Sequence, residues 1–189
     1  DVYEEAFGQT SYHFLHKGNA FLVVDTELDH GEIAGEQLEY VRAALDRARQ
    51  DRRARRVFVF SHKLLWSVNR PQFEVVFKHL NSPSGYATTD NYVTDVLPLL
   101  RTVASVKPVY WLSGDVGCSW SLPAFYGTES SSDITYIAVG IGDTPRDGVL
   151  RCRIPRDGRA TFDFLPLSGD EPQPVATYDV DHWNAHFQR

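Results

Sequence analysis

The chain has 189 residues, of which 42% are hydrophobic and 23% charged, and its formal net charge is -6. This size and composition predict one globular domain with a buried core and exclude a chain that is disordered throughout. The negative charge argues against a general nucleic-acid binder, because phosphate contacts need a basic surface. No apolar run approaches the roughly 20 residues that a membrane-spanning helix needs, so the sequence predicts no membrane span.

The first residues carry a separate signal. The chain begins at Asp1 and contains no methionine, so we expect it to be part of a longer protein. Its two cysteines, Cys118 and Cys152, allow one disulfide but do not require it, which leaves the redox compartment open.

The N-terminal third predicts a hairpin followed by a helix. Residues 11–15 and 20–25 are β-prone runs, and Lys17-Gly18-Asn19 between them is typical of a tight turn. Apolar residues then recur at helical spacing, with acids near the start and arginines near the end, as suits a helix dipole. The apolar positions of this predicted helix are Ile33, Leu38, Val41 and Leu45.

The rest of the chain alternates strands and helices and ends in a second hairpin. A turn signal at residues 155–159 separates the two strands of that hairpin. We expect residues 168–189 to form a tail that packs on a domain of residues 1–167. The predicted strands are 57–60, 109–112, 134–140, 149–154 and 160–165, and the predicted helices are 73–80 and 95–106.

This pattern predicts an α/β or layered α+β class with a mixed sheet. Ligands of such sheets bind at the carboxyl ends of the strands. Two strand ends qualify, one at His62 and one at Asp115 in the stretch WLSGDVGCSW. A histidine in such a place could bind a metal ion or transfer protons, since imidazole titrates near neutral pH, or it could merely cap the strand.

Other candidates are weaker. His182 and His186 stand four residues apart, as in a two-histidine metal site, but no glutamate lies between them and a docked C-terminal helix explains them as well. Three further side chains, His79, Tyr92 and Trp66, are expected in loops that rim the cleft. Asp25 ends a buried strand, where we expect a structural hydrogen bond.

Five segments, taken in order, resemble the calcineurin-like metallophosphoesterases, a family that includes purple acid phosphatases. The segments are YHF with KGNAFLVVDT, then GEQLEYV, VFSHKLLW, the strand VYWLSG after a Leu-Leu helix, and the closing hairpin. The resemblance implies a layered α/β/β/α sandwich of two sheets flanked by helices, with the first βαβ part missing from this chain. It also implies hydrolysis of a phosphate mono- or diester by a hydroxide bound to divalent metal ions.

Residue by residue, the resemblance places His62 on the metal-binding histidine of the family's VxxH segment. Asp115 and Gly117 fall on the two histidines of its GHxH segment. A carboxylate at Asp115 could still bind Mn, Fe, Zn or Mg, whereas Gly117 supplies no ligand, so such a site should favour a harder metal or hold only one of two divalent ions tightly. The family's DxH, GDxxD and GNH segments do not occur in the chain.

Three functions therefore compete. The first, which the two strand-end residues favour, is a phosphoesterase-like hydrolase with an altered metal site at His62 and Asp115. The second is an inactive member of the same family that serves as a binding or assembly module. The third is an unrelated α/β binding domain, in which the two residues would lie far apart. Expected partners are a small phosphate-ester substrate and the missing N-terminal part of the domain, and the location is left open with a preference for exported or periplasmic.

Overall fold

A computed structural model of the chain describes residues 2–83, 86, 91–117, 122–142 and 144–188. Within these ranges the helices are α1 (Val2–Phe7), α2 (Gly35–Gln50), α3 (Glu74–Phe77), α4 (Leu97–Ala104) and α5 (Val180–Phe187). The strands are β1 (Tyr12–His16), β2 (Asn19–Val23), β3 (Arg56–Ser61), β4 (Val109–Ser113), β5 (Ala124–Thr128), β6 (Ile134–Val139), β7 (Gly148–Arg153), β8 (Thr161–Pro166) and β9 (Gln173–Pro174).

A six-stranded mixed sheet forms the centre of the molecule, with the strand order β1-β2-β3-β4-β6-β5. The neighbours from β2 to β6 run parallel, whereas β1 and β5 pair antiparallel at the two edges. The inner strands β3, β4 and β6 are buried along most of their length, as is usual for parallel strands covered on both faces. The mixed α/β class is therefore correct.

The two faces of this sheet bury two different apolar clusters. On one face α2 and α4 pack over Val59 and Trp111, in the larger cluster. On the other face a small antiparallel sheet, ordered β7-β8-β9, packs through Phe162 and Phe164 against Phe58. The strands β2 to β6 send alternate side chains to the two clusters, because successive side chains point to opposite faces.

The first hairpin shows why its turn residues were informative. The two residues between β1 and β2, Lys17 and Gly18, both have positive φ values, of 46° and 76°. A two-residue hairpin turn with two positive φ values matches the right-handed twist of the strands. A Cβ at Gly18 would also lie 2.9 Å from the Arg55 guanidinium, so glycine fits this position twice over.

The C-terminal segment packs on the domain through α5. The Trp183 ring is buried, and its Nε1 donates to the Ala124 carbonyl at 3.0 Å. The rings of Phe187 and His79 stack with centroids 4.0 Å apart. The division at residue 168 stays a prediction. No helix among the described residues is long and apolar enough to cross a membrane.

Candidate functional site

The carboxyl ends of β3 and β4 lie side by side and deliver the two residues that the sequence singled out. Ser61 of β3 pairs with Ser113 of β4 at the last position of the ladder. The His62 carbonyl then accepts hydrogen bonds from the amides of both Gly114 and Asp115, each at 3.0 Å. The two loops are thus fixed to one another immediately beyond the sheet.

His62 and Asp115 meet at this edge. Nε2 of the imidazole lies 3.8 Å from Oδ1 of the carboxylate. The imidazole is 53% exposed, whereas the carboxylate is fully buried. Solvent and ligands can therefore reach the imidazole of His62 but not the carboxylate of Asp115 behind it.

Among the described residues, only one of the two carboxylate oxygens of Asp115 has a hydrogen-bond donor. The Tyr86 hydroxyl donates to Oδ2 at 2.9 Å and accepts from the Leu64 amide at 2.9 Å. Burial raises the pKa of Tyr86 well above its ordinary value, so this hydroxyl stays protonated and keeps donating. Oδ1 has no hydrogen-bond partner among the described residues. A buried carboxylate oxygen without a donor costs free energy, because it has lost its water and gained nothing in return.

The loop after β2 adds an ion pair beside this edge. The buried Thr26 hydroxyl accepts from the Lys63 amide at 2.9 Å. The Lys63 ammonium is nearly buried and donates to Oε2 of Glu27, which is more than half exposed, at 3.1 Å. Residues from the ends of three neighbouring strands therefore line one edge.

Side-chain hydrogen bonds at the ends of β3 and β4 support the His62–Asp115 pair. The indole of Trp111 donates to the Ser61 hydroxyl at 2.7 Å, and the indole of Trp66 donates to the Ser113 hydroxyl at 3.2 Å. The Ser61 hydroxyl donates in turn to the Lys63 carbonyl at 2.8 Å. These contacts fix the strand ends, so the loops that carry the site begin from rigid positions.

Several predicted rim residues lie elsewhere. Trp66 and Tyr92 were expected to rim the cleft, but both are core residues, because their rings pack under the sheet against Tyr136. His79 lies against α5, as described above. Gly117 adopts a φ of 93° close to Gly140, a conformation that side chains rarely take, which gives a backbone reason for the glycine.

The remaining candidates lie outside the site. Asp25 has the structural role expected of it, since its Oδ1 accepts from the Glu27 amide at 2.9 Å. His182 and His186 belong to α5 and line a separate cavity of about 240 Å³. Cys118 lies outside the described residues, so the disulfide that the two cysteines allow is untested; Cys152 carries an exposed free thiol.

Sequence reasoning missed two important side chains. Tyr86 lies in a loop rich in Asn, Pro, Ser and Gly, where nothing in the pattern distinguishes a residue that reaches the site. Glu129 follows β5, a strand that was also missed, and it forms a buried ion pair with Arg70 at 2.5 Å. The sequence around Glu129 does not predict this ion pair, because Arg70 lies far away in the chain.

The expected metal centre is not present in the part of the chain that the structure describes. There, no group of three or more His, Cys, Asp or Glu side chains is placed to hold a metal ion. Protein zinc sites use three or four such ligands, and His62 and Asp115 are two that approach each other among the described residues. The prediction of one or two divalent metal ions was therefore wrong.

The chain shows weak similarity to solved structures. No family model matches it, and no curated protein matches it. Among solved structures, one match is an enoyl-CoA hydratase/isomerase from Mycobacterium abscessus, with 16% identity over 55% of this chain and 48% of that one, at a TM-score of 0.33. Another is an enoyl-CoA hydratase/isomerase from Acinetobacter baumannii, with 19% identity over 58% of this chain and 41% of that one, also at a TM-score of 0.33. This chain thus spans less than half of either structure, and a likeness this low assigns it neither a fold nor an activity.

These findings correct the family expectation. No family model matches the chain, and its described residues hold no group of metal ligands, so the resemblance and the phosphoesterase, phosphatase and hydrolase activities inferred from it were wrong. The alternative of an inactive member falls with the family. The error has a physical cause: apolar parallel strands that end in a polar residue recur in many α/β sheets, so their order alone does not specify a family.

Proposed function

We propose that the carboxyl edge formed by the loops after β2, β3 and β4 binds a small polar ligand, and that His62 and Asp115 act there as an acid–base pair. The observation that carries this proposal is the open Oδ1 of Asp115, fully buried and 3.8 Å from the half-exposed His62 imidazole. A charge kept in this state is costly for folding, so a function is the simplest reason for its presence.

His62 and Asp115 would have different roles in this pair. The exposed imidazole is the group that meets a ligand, and imidazole exchanges protons near neutral pH. The buried carboxylate behind it would fix the ring orientation and stabilise the imidazolium, as a carboxylate does in other Asp–His pairs. The distance of 3.8 Å between Nε2 and Oδ1 is longer than a hydrogen bond. Catalytic hydrogen bonds are often long before a ligand binds. A small rotation of the His62 ring would bring the two atoms within hydrogen-bond distance.

Tyr86 has the supporting role in this proposal. Its hydroxyl holds Oδ2 and leaves Oδ1 as the free acceptor that faces His62. The same hydroxyl accepts from Leu64, so it also fixes the loop that carries His62. A ligand that reaches His62 would meet the Lys63–Glu27 ion pair, which joins this loop to the loop after β2 and favours a polar ligand with both donors and acceptors.

Protein-observed NMR with a library of small polar compounds tests the proposal. We expect hits to shift the His62 ring signals and the amides of Lys63 and Asp115. His62→Gln and Asp115→Asn should each weaken the hits at least about tenfold, which corresponds to 1.4 kcal/mol.

His16→Gln is the matched control, because His16 is exposed and lies at the opposite edge of the sheet, paired with the first residue of β2. It should leave the hits unchanged. Hits that survive both site substitutions, or that cluster at another surface, would show that the pair is not a ligand site.

A further inference from the structure

The Lys63 side chain places a buried positive charge beside the candidate site. Only 5% of this side chain is exposed. Its backbone is fixed at the end of β3, because the amide donates to the Thr26 hydroxyl at 2.9 Å and the carbonyl accepts from the Ser61 hydroxyl at 2.8 Å. A charge that is buried in a fixed place needs an anion next to it to offset the loss of water.

The anion next to Lys63 is itself largely exposed. Among the described residues the ammonium donates one hydrogen bond, to Oε2 of Glu27 at 3.1 Å, and the Glu27 side chain is 59% exposed. The Arg70–Glu129 pair differs, since its two side chains are 6% and 4% exposed. A pair that only stabilises the fold can bury both partners, as that one does. At Lys63 the cation is buried but its partner stays in water, so another anion can replace the partner at little cost in solvation.

The Glu27 side chain can move while its loop stays in place. Its own amide donates to Oδ1 of Asp25 at 2.9 Å, and the preceding residue, Thr26, holds the loop to the Lys63 amide. Rotation about the side-chain bonds of Glu27 is therefore enough to uncover the ammonium. An ammonium has three N–H donors and the described residues use one of them, so two more are left for a ligand.

The Lys63–Glu27 pair belongs to the same site as His62 and Asp115. Lys63 follows His62 directly in the chain. Burial raises the pKa of Tyr86, and the carboxylates of Asp115 and Glu27 raise it further. The Glu27 carboxylate therefore acts on the same hydroxyl that donates to Oδ2 of Asp115. Contacts to His62 and to the Lys63 ammonium can thus be made by one small ligand.

We propose that the ligand of this edge is a small carboxylic acid, whose carboxylate replaces that of Glu27 on the Lys63 ammonium while His62 contacts its other polar groups. The inference rests on the proposed function and adds the chemical class of the ligand to it. Glu27 favours a carboxylate, because its own carboxylate already occupies this position, 3.1 Å from the ammonium. The exchange replaces one ion pair by another of the same kind, so the buried ammonium keeps an anion throughout.

The other charges of the edge limit the ligand to one negative group. The carboxylates of Asp25, Glu27 and Asp115 all lie in the loops that form this edge. Like charges a few ångströms apart repel one another, and more strongly where water is excluded. A ligand with one carboxylate and uncharged polar groups is therefore favoured over a polyanion, in keeping with the net charge of -6 of the whole chain.

NMR titration with propionate tests the proposal. Propionate has the carboxylate and the two-carbon stem of a glutamate side chain, and propionamide is the matched uncharged probe. Glu27→Gln should bind propionate at least about tenfold more tightly than the wild type does, because the internal competitor has lost its charge. Adding Lys63→Met to the same chain should abolish this gain, and propionamide should show no gain in either variant. Methionine keeps an apolar stem at position 63, and circular dichroism checks that each variant is folded.

The Glu74–Lys78 pair on α3 supplies the matched controls, since its two side chains are 62% and 64% exposed. Glu74→Gln and Lys78→Met should leave the affinity for propionate unchanged.

The failure of this inference can be told apart from the failure of the proposed function. Equal affinity of the wild type and Glu27→Gln for propionate overturns the carboxylate inference, and so does a gain that survives Lys63→Met or that propionamide shares. In these cases the proposed function still stands if uncharged library hits depend on His62 and Asp115. Library hits whose affinity is unchanged by substitution of either residue overturn the proposed function, and this inference with it.

Discussion

Glu129 and Asp115 are both buried carboxylates that follow a strand of the same sheet, yet their surroundings differ in one decisive respect. Both oxygens of Glu129 are satisfied: Arg70 donates to Oε2 at 2.5 Å, and Arg101 donates to Oε1 at 2.9 Å. Tyr136 adds a third donor at 3.2 Å. Among the described residues, Asp115 has one donor, Tyr86, which bonds Oδ2, and no donor to Oδ1.

The number of hydrogen-bond donors around each carboxylate distinguishes a structural charge, Glu129, from a functional one, Asp115. A buried ion pair needs good geometry and further hydrogen bonds to offset the loss of water, and the Glu129 network supplies them. Arg70 also packs its guanidinium 4.8 Å from the centre of the Phe73 ring, which fastens the network to the core. Asp115 has the desolvation cost without the full compensation, so its presence has to be explained by what it does.

Glu129→Gln should have the largest effect on stability. The substitution leaves the buried Arg70 without its carboxylate, and removing one partner of a buried pair costs roughly 3 to 5 kcal/mol. Urea unfolding measures the loss. Glu74→Gln is the matched control, since the Glu74–Lys78 pair is on the surface, and it should cost at most about 0.5 kcal/mol. Equal losses in the two variants would show that the network does not stabilise the fold.

Tyr86→Phe should have the next largest effect. The change removes the donor to Asp115 and the acceptor of the Leu64 amide, and an unsatisfied buried group costs about 1 to 3 kcal/mol. Thermal or urea unfolding gives the value, with Tyr12→Phe as the control at an exposed tyrosine. An unchanged stability would mean that Tyr86 does not hold the site loops.

The pH dependence of stability should follow Glu129. Burial disfavours its ionised form, but the hydrogen bonds from Arg70 and Arg101 outweigh burial and lower the pKa of Glu129 below its ordinary value of 4.5. The network therefore stabilises the fold above about pH 4.5, and this contribution is lost as the pH falls through the lowered pKa. Unfolding titrations of wild type and Glu129→Gln should differ most at neutral pH and converge in acid. A constant difference would contradict the assignment.

The sequence predicted most of the framework, because periodicity and turn chemistry are local. The helix around Val41, the hairpin at Gly18 and the strands that end near His62 and Asp115 are all present. Elements that were missed have weak local patterns: α1 is six residues long, and β5 contains Gly127.

Only half of the site could be predicted, because sequence patterns report local structure and the site also depends on residues from distant loops. The crevice rule places His62 and Asp115 at one sheet edge, and the structure brings them together. Their chemistry depends on Tyr86, which comes from another loop and has no periodic signal. The metal interpretation went wrong because it assigned ligands by position in a pattern, whereas a metal site requires several side chains to converge in space.

Asp115→Asn tests the central claim most directly, and its free energy of unfolding at neutral pH is the quantity to measure. Asparagine keeps an acceptor for Tyr86, removes the buried charge with its open oxygen and turns a donor towards His62. If Asp115 is retained for function, the variant should be as stable as the wild type within about 1 kcal/mol, or more stable. The surface change Asp157→Asn corrects for the loss of one negative charge. A loss as large as that of Glu129→Gln would contradict the account and make Asp115 a structural residue.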